Sequence, residues 1–246
     1  LHISAKELQY LNLLNNEIND DGIEALVPAL ANCSHLQSLN IYNNSSITTR
    51  GWQSLASILE SSSCNLTMLN ISGNNVDDDA VASFANSLVN NPKLHSLYMN
   101  GNPVTAVGWE VFSKVLCNTS NVNATFLSNH TLHFLGNVVV GHAGRVMLPL
   151  LDLNDRSNKK EVAVIKILKY HGDFDMLPFF EWEFKVLPLV LRWLERASEY
   201  ELPENFEPNI EERKLSTIFQ FVRGMPVLYV ETRLRKELED IKVAES

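Results

Sequence analysis

The sequence predicts an α/β repeat fold followed by an all-α C-terminal region. The repeats form a curved stack of strand–helix units, with a parallel sheet on the concave face and helices on the convex face. Three observations predict this. One short apolar frame recurs at spacings of 28, 30 and 28 residues through the first half of the 246-residue chain. Apolar residues at helical spacing fill the interval between one frame and the next. From about Asp155 asparagine becomes scarce and charge rises: residues 1–146 carry 10 acidic and 5 basic side chains, and 147–246 carry 19 and 15, which favours solvated helices.

The frame is cleanest at Leu66-Thr-Met-Leu69-Asn-Ile71-Ser-Gly-Asn74-Asn-Val76. Apolar residues stand at positions one, four, six and eleven, and an asparagine at position nine. Leu8/Leu11/Leu13/Asn16/Ile18 and Leu94/Leu97/Met99/Asn102/Val104 repeat it, and Leu36/Leu39/Ile41/Asn44 does so with one extra residue before Ile47. This is the L-x-x-L-x-L-x-x-N-x-L signature of a leucine-rich repeat, and a period near 28 suits its long class, in which each strand is followed by a full helix. A strand sends alternate side chains to opposite faces, so Leu11 and Leu13 point inward while Tyr10, Asn12 and Leu14 face out. One unit cannot bury its apolar face alone, whereas stacked units share a continuous core. Helices are wider than strands, so the stack is expected to curve with the sheet inside. The position-nine amides have donors and acceptors for the backbone of the turn.

The expected helices follow each frame. Ile23/Leu26/Leu30, Trp52/Leu55/Ile58/Leu59, Val81/Phe84/Leu88 and Trp109/Phe112/Leu116 have helical spacing, with Asp20 or Asp21, Thr48 or Thr49, Asp78 and Thr105 as expected N-caps. Pro28 conflicts with the first helix. The register decays after Leu116, and residues up to Gly136 read as a degenerate terminal repeat. The expected domains are therefore residues 1–136 for four repeats and a degenerate one, 137–154 for a connecting segment, and 155–246 for a helical capping region. In that region Val162/Ile165/Leu168, Phe179 to Ala197 and Glu211 to Arg223 form helices that cover the open apolar end of the stack.

Composition excludes several function classes. A net charge of -9 opposes non-specific nucleic-acid binding, which needs a basic face, and opposes anionic membrane surfaces. The cysteines Cys33, Cys64 and Cys117 are odd in number and widely spaced, which suits buried free thiols rather than a disulfide framework or a zinc site. No apolar run approaches the ~20 residues of a spanning helix. The chain begins inside or just before a repeat, so the lack of a signal peptide carries no weight. Eight N-x-Ser/Thr triplets head at Asn32, Asn43, Asn44, Asn65, Asn70, Asn118, Asn123 and Asn129. The first 146 residues hold 22 asparagines, so chance accounts for these triplets, and Asn44 occupies a buried frame position where a glycan does not fit. A cytoplasmic or nuclear location is expected.

The repeats resemble ribonuclease-inhibitor-like leucine-rich repeats, a class that includes Ran GTPase-activating proteins and the repeat domains of NOD-like receptors. Asn123-Ala-Thr-Phe-Leu-Ser-Asn-His-Thr-Leu132, Glu161-Val-Ala-Val-Ile-Lys-Ile-Leu-Lys-Tyr-His171 and Phe179-Phe-Glu-Trp182-Glu-Phe-Lys-Val-Leu-Pro188 resemble the tail of a group of repeat proteins from diatom-type algae. These resemblances imply a fold more than an activity.

Catalytic motifs are missing: no phosphate-binding glycine loop and no nucleophile elbow occurs. His130 and His133 have no carboxylate or cysteine at ligand spacing, and Asp77-Asp78-Asp79 reads as a helix entrance rather than a cation site. Phe180, Trp182 and Phe184 read as core or capping residues. No cofactor, metal site or enzymatic activity is therefore expected. What remains is the concave face, with Tyr10, Asn12, Asn40, Tyr42, Asn70, Tyr98 and Asn100 as the expected protein-binding residues. The row Asn12, Asn40, Asn70 and Tyr98 is polar and uncharged, and tyrosines make rigid interface anchors. The competing reading is that these asparagines only bond one another along the sheet. The expected function is a non-enzymatic scaffold for a protein partner. The alternatives are a small-GTPase regulator, by repeat type alone, or the C-terminal part of a larger repeat receptor or adaptor.

Overall fold

The computed structural model describes residues 7–136, 142–156 and 158–171. The chain divides into two compact units, Leu1–Ile167 and Leu168–Ser246. The helices expected at Phe179 to Ala197 and Glu211 to Arg223, with the trio Phe180, Trp182 and Phe184, lie outside the described residues.

Four short strands, β1 (Tyr10–Asn12), β2 (Ser38–Asn40), β3 (Met68–Asn70) and β4 (Ser96–Tyr98), pair in sequence order as one parallel sheet. Each is followed by a helix: α1 (Asp20–Ala31), α2 (Thr49–Ala56, extended by a 3-10 turn at Ser57–Glu60), α3 (Asp78–Leu88) and α4 (Ala106–Leu116). The helices pack side by side in the same order. Leu39, Ile41, Leu69, Ile71, Leu97 and Met99 are completely buried between sheet and helices. Ile23, Trp52, Val81 and Trp109 stand at equivalent places on the helices and fill the other side of that core. Pro28 lies in the last turn of α1 without ending it. Its missing N–H forgoes one helix bond, to the Glu24 carbonyl four residues back, and the Asn32 side-chain amide caps the Pro28 carbonyl at 2.8 Å where the helix ends.

The position-nine asparagines bind the repeats together. The Asn74 amide donates to Ile71 and Ser72 in its own turn and to Ile41 of the preceding repeat, while its oxygen accepts from Asn44 N at 2.6 Å. Asn44 and Asn102 likewise reach back, to Leu13 and Ile71. The residue before each of these asparagines is left-handed, with φ between 54° and 67° at Asn15, Asn43, Gly73 and Gly101. Glycine and asparagine are the residues that tolerate this turn.

Thr48 and Thr105 stand at the N-caps of α2 and α4 as expected, whereas the entrances of α1 and α3 come one residue earlier than expected. The N-caps are Asn19, Thr48, Asp77 and Thr105, whereas Asp20 and Asp78 are the first helical residues. Their carboxylates are used between repeats. Asp20 accepts from Thr48 N, Thr48 Oγ1 and Gly51 N, and Asp78 accepts from Thr105 N and Oγ1. An acid at the first turn of one helix thus serves the next helix N-terminus as well as its own dipole. Asp20 is held below the usual carboxylate range by the Thr48 and Gly51 hydrogen bonds and by Arg50, against the opposing effect of burial.

The degenerate repeat retains a strand contact, since Phe134 bridges Ser96 and Leu97 N donates to the Phe134 carbonyl at 2.9 Å. Leu132 and Leu135 are buried like Leu94 and Leu97, which keeps the first two leucine positions of the frame. A short helix, α5 (Val122–Phe126), precedes this strand contact. Two helices follow: α6 (His142–Asn154), which lies within the expected connecting segment, and α7 (Lys159–Tyr170), near where the sequence places a helix. α6 packs against α4 and extends the helical layer.

The Asn74 side chain is buried with four hydrogen bonds, whereas Asn16 is exposed and bonds only its own turn. In urea unfolding, Asn74→Ala should cost about 2–3 kcal/mol and Asn16→Ala under about 1 kcal/mol. Equal costs would show that the ladder does not hold the stack.

Candidate functional site

The in-register pairing sets side chains into rows across the open face of the sheet. Asn12, Asn40, Asn70 and Tyr98 occupy one row, as expected; Tyr10 shares a second with Ser38, Met68 and Ser96. Tyr42 and Asn100 lie beyond the strand ends, two residues after Asn40 and Tyr98. Neighbouring residues in a row are about 4.8 Å apart. Tyr10 is 67% exposed, Tyr42 41% and Met68 39%. No charged side chain occupies these rows.

Each asparagine in the first row bonds its own strand end. Asn12, Asn40 and Asn70 accept, through Oδ1, from the backbone N–H two residues on, at 3.2, 3.0 and 3.0 Å. None of them bonds the next asparagine, so the row is not a ladder of linked amides. The side-chain oxygen is spent holding the turn, and the amide NH2 groups have no partner among the described residues. The result is a line of hydrogen-bond donors whose carboxamide planes are already fixed.

Two aromatic side chains border this line. The Tyr42 ring lies over Gly73, whose added Cβ would sit 3.1 Å from it. Tyr98 is half-buried and stacks on Phe134 with ring centroids 4.8 Å apart. Phe134 belongs to this face although sequence reasoning omitted it. The signal was the spacing Leu132-x-x-Leu135, which matches Leu94-x-x-Leu97. Asn100 is half-buried, its backbone N–H donating to Ser72 Oγ and its side chain lying against Gly136.

A second polar cluster lies at the end of the repeats and had no counterpart in the sequence reading. Lys166, on α7, is completely buried. Its Nζ donates to the Leu116 carbonyl at 2.6 Å, to Asn154 Oδ1 at 2.7 Å, to His130 Nδ1 at 3.1 Å and to the Asn129 carbonyl at 3.2 Å. Leu116 ends α4, so the lysine sits at the negative end of that helix. Asn154 Nδ2 in turn donates to the carbonyls of Asn129 and Leu132. Asn129 itself repeats the role of Asn91: each accepts from the two N–H groups that lead into its strand and donates to a carbonyl of the preceding repeat. The shared spacing Asn91-x-x-Leu94 and Asn129-x-x-Leu132 could have revealed this pair.

His130 uses both ring nitrogens within the protein. Nδ1 faces Lys166 and Nε2 lies 3.0 Å from the Phe126 carbonyl, which selects the neutral ring with its proton on Nε2. Burial, aided by the Lys166 charge, pulls His130 down to about 4. Burial likewise pulls Lys166 down to about 7, with Lys159 acting in the same direction and Cys117 against it. Among the described residues no three His, Cys, Asp or Glu side chains gather as metal ligands, and no helix is long and apolar enough to cross a membrane. Cys33, Cys64 and Cys117 are buried free thiols.

A family model described as Leucine Rich repeat matches residues 7–27 and 62–85, where the frame begins and where it is cleanest. The chain carries leucine-rich repeats. Over 126 residues it is 33% identical to the human (Homo sapiens) NACHT, LRR and PYD domains-containing protein 13. That match covers 50% of this chain and 12% of the relative, so the chain spans only a small part of the relative's length. Among solved structures, Leiomodin-1 Actin-Binding Site 2 (ABS2) superposes with a TM-score of 0.50 at 16% identity, covering 61% of this chain and 82% of that one. This second likeness concerns the fold alone. Leucine-rich repeat domains generally mediate protein–protein interaction.

The buried cluster implies a pH dependence. Between pH 6.5 and about 4 the unfolded chain protonates His130 and the folded chain does not, so stability falls as pH falls through that window. Between about pH 7 and 10.5 the unfolded chain holds a proton on Lys166 that the folded one has released, so stability rises with pH there. Thermal melts should show both slopes. His130→Gln should flatten the acid slope and Lys166→Met the alkaline one. Unchanged slopes in both variants would contradict the burial of these groups.

Proposed function

We propose that the open face of the sheet is the surface on which this chain binds a protein partner, and that it acts as a non-enzymatic scaffold. One observation carries the reading. Asn12, Asn40 and Asn70 spend their oxygens on their own strand ends, and their NH2 donors have no partner among the described residues. Such a row suits backbone carbonyls of a partner segment, and Tyr42, Met68 and the Tyr98–Phe134 pair supply apolar area beside it. Rigid aromatics next to fixed donors lose little entropy on binding. The expected curvature of the repeats would place this surface on their concave side.

The reading is supported by what leucine-rich repeat domains generally do, and its location by chemistry. A reducing compartment, cytoplasm or nucleus, suits three buried thiols. Five of the eight sequon asparagines, Asn32, Asn43, Asn44, Asn65 and Asn129, already donate through Nδ2 within the protein, which leaves that nitrogen poorly placed for a glycan. The GTPase-regulator alternative has less behind it. Arg50, one of the few cations in the repeats, lies on the helical side and is engaged by Asp20, Asp21 and Glu24.

A photo-crosslinking residue at position 42 or 70 should capture one protein species, and the same residue at Gln53 on α2 should capture none. Tyr42→Ala with Asn70→Ala should abolish capture from a neighbouring position 40 while the Tm falls by no more than a few degrees. Capture from position 53 alone would move the site to the helices. Because the face carries no charge, affinity should change less than about threefold between low and physiological salt, where an ion-paired interface would weaken strongly.

A further inference from the structure

Every repeat after the first receives the same set of contacts from its predecessor. Its strand pairs with the preceding strand. Its position-nine asparagine donates back to the predecessor's carbonyl, as Asn44 does to Leu13, Asn74 to Ile41 and Asn102 to Ile71. The oxygens of these asparagines accept from predecessor N–H groups, those of Ile18, Asn44 and Asn74. Finally, the first helical residue of the predecessor reaches the N-terminus of the following helix.

That last contact has a sequence rule. Gly51 and Gly108 are the third residues of their helices, and a Cβ on either would lie 2.5 Å from Asp20 Oδ1 or 2.6 Å from Asp78 Oδ1. Glycine stands there because the carboxylate of the preceding repeat and a branched side chain of its own repeat, Ile47 Cγ2 or Val104 Cγ1 at 2.8 Å, share the space. At the junction whose predecessor offers Thr49 instead, the donor goes to Asp77 and the third helical residue is Ala80. Glycine accompanies an incoming aspartate, and alanine an incoming threonine.

The first repeat carries the receiving half of every one of these contacts. Among the described residues β1 is an edge of the sheet. Leu11 and Leu13 are only half-buried, where their counterparts in the next three repeats are completely buried. The Asn16 amide bonds Leu13 and Leu14 of its own turn, and its oxygen has no partner among the described residues. The third residue of α1 is Gly22, and a Cβ there would meet only its own repeat, at Ile18 Cγ2 and Asn19 Oδ1, 3.1 and 3.5 Å away. Among the described residues no carboxylate of another repeat approaches Gly22 as Asp20 approaches Gly51 and Asp78 approaches Gly108.

We propose that the outer face of the first repeat is a docking surface for one further leucine-rich repeat unit that carries aspartate as the first residue of its helix. The strand edge supplies the backbone pairing, Asn16 the back-reaching amide, the half-buried leucines the apolar overlap, and Gly22 with Asn19 the carboxylate seat. The surface is thus specific for a unit built like those of residues 8–35 and 66–93, and its occupation is independent of what the open sheet face binds.

The test joins a copy of residues 66–93 directly ahead of Leu8 in the full chain. This puts the copied aspartate 27 residues before Asn19 and 30 before Gly22, the separations of Asp78 from Thr105 and Gly108. A copy of residues 8–35 gives the same separations and provides a second extension should the first fit badly. Both extended chains should melt at least about 5 °C above the parent. Gly22→Ala should change the parent's Tm by no more than a degree or two, since the helix preference of alanine offsets a shift of a few tenths of an ångström against the Ile18 methyl at 3.1 Å. In the extended chains the same change should lower the Tm. Replacing the copied aspartate by alanine should remove that sensitivity. Extended chains no more stable than the parent, or an equal response of parent and extended chains to Gly22→Ala, would overturn the proposal. So would a concentration-dependent dimer of the parent that Leu11→Arg dissolves, because the occupant would then be a second copy of this chain.

Discussion

The structure depends on one constraint: each repeat turns away from its strand inside the stack, where backbone N–H and C=O groups have no water to bond. The position-nine amide meets that need, and it does so for two repeats at once. Asn74 serves its own turn and the turn before it, so neither repeat is fully hydrogen-bonded without the other. Burial of the leucines is the larger stabilising effect, but it is not directional. The amide bonds, the left-handed residue before each and the aspartate bridges set the register in which that burial occurs. Cooperation between neighbouring repeats follows from these shared bonds.

The open sheet face follows from the same register. Parallel pairing brings equivalent residues of successive repeats side by side, so a residue type used once per repeat becomes a row. Where the row residue is asparagine, its oxygen closes on its own backbone and its nitrogen is left for something else. Where the frame loses asparagine, at Tyr98, the row ends in an aromatic pair with Phe134. Each asparagine of the row thus uses one half of its amide for its own strand end, and the other half has no partner among the described residues.

At the other end of the stack the same need for hydrogen bonds is met by a charge. Past the last full repeat no position-nine asparagine follows, and Lys166 and Asn154 reach in from α7 and α6 to satisfy the carbonyls of Leu116, Asn129 and Leu132. A buried cation is costly in a low dielectric, and here four acceptors and a helix C-terminus surround it. The cost shows in the lowered pKa values of Lys166 and its neighbour His130.

The frame alone was enough to place the four strands and their helices, and to say which of Leu69, Asn70 and Ile71 face inward, because a period of two and a period near four are local properties of the chain. It also named the row Asn12, Asn40, Asn70 and Tyr98, since equal repeat lengths align equal positions. Contacts between repeats were not legible. Asp20 and Asp78 looked like caps of their own helices, and only the stacking shows that they sit one residue further in and bridge to Thr48 and Thr105. Phe134 could be placed on the open face only once its strand paired with β4. Nothing in the sequence around Lys166 distinguishes it from the other lysines of α7, Lys159, Lys160 and Lys169. Its burial is decided by carbonyls between 37 and 50 residues away, and no local pattern encodes a partner at that distance.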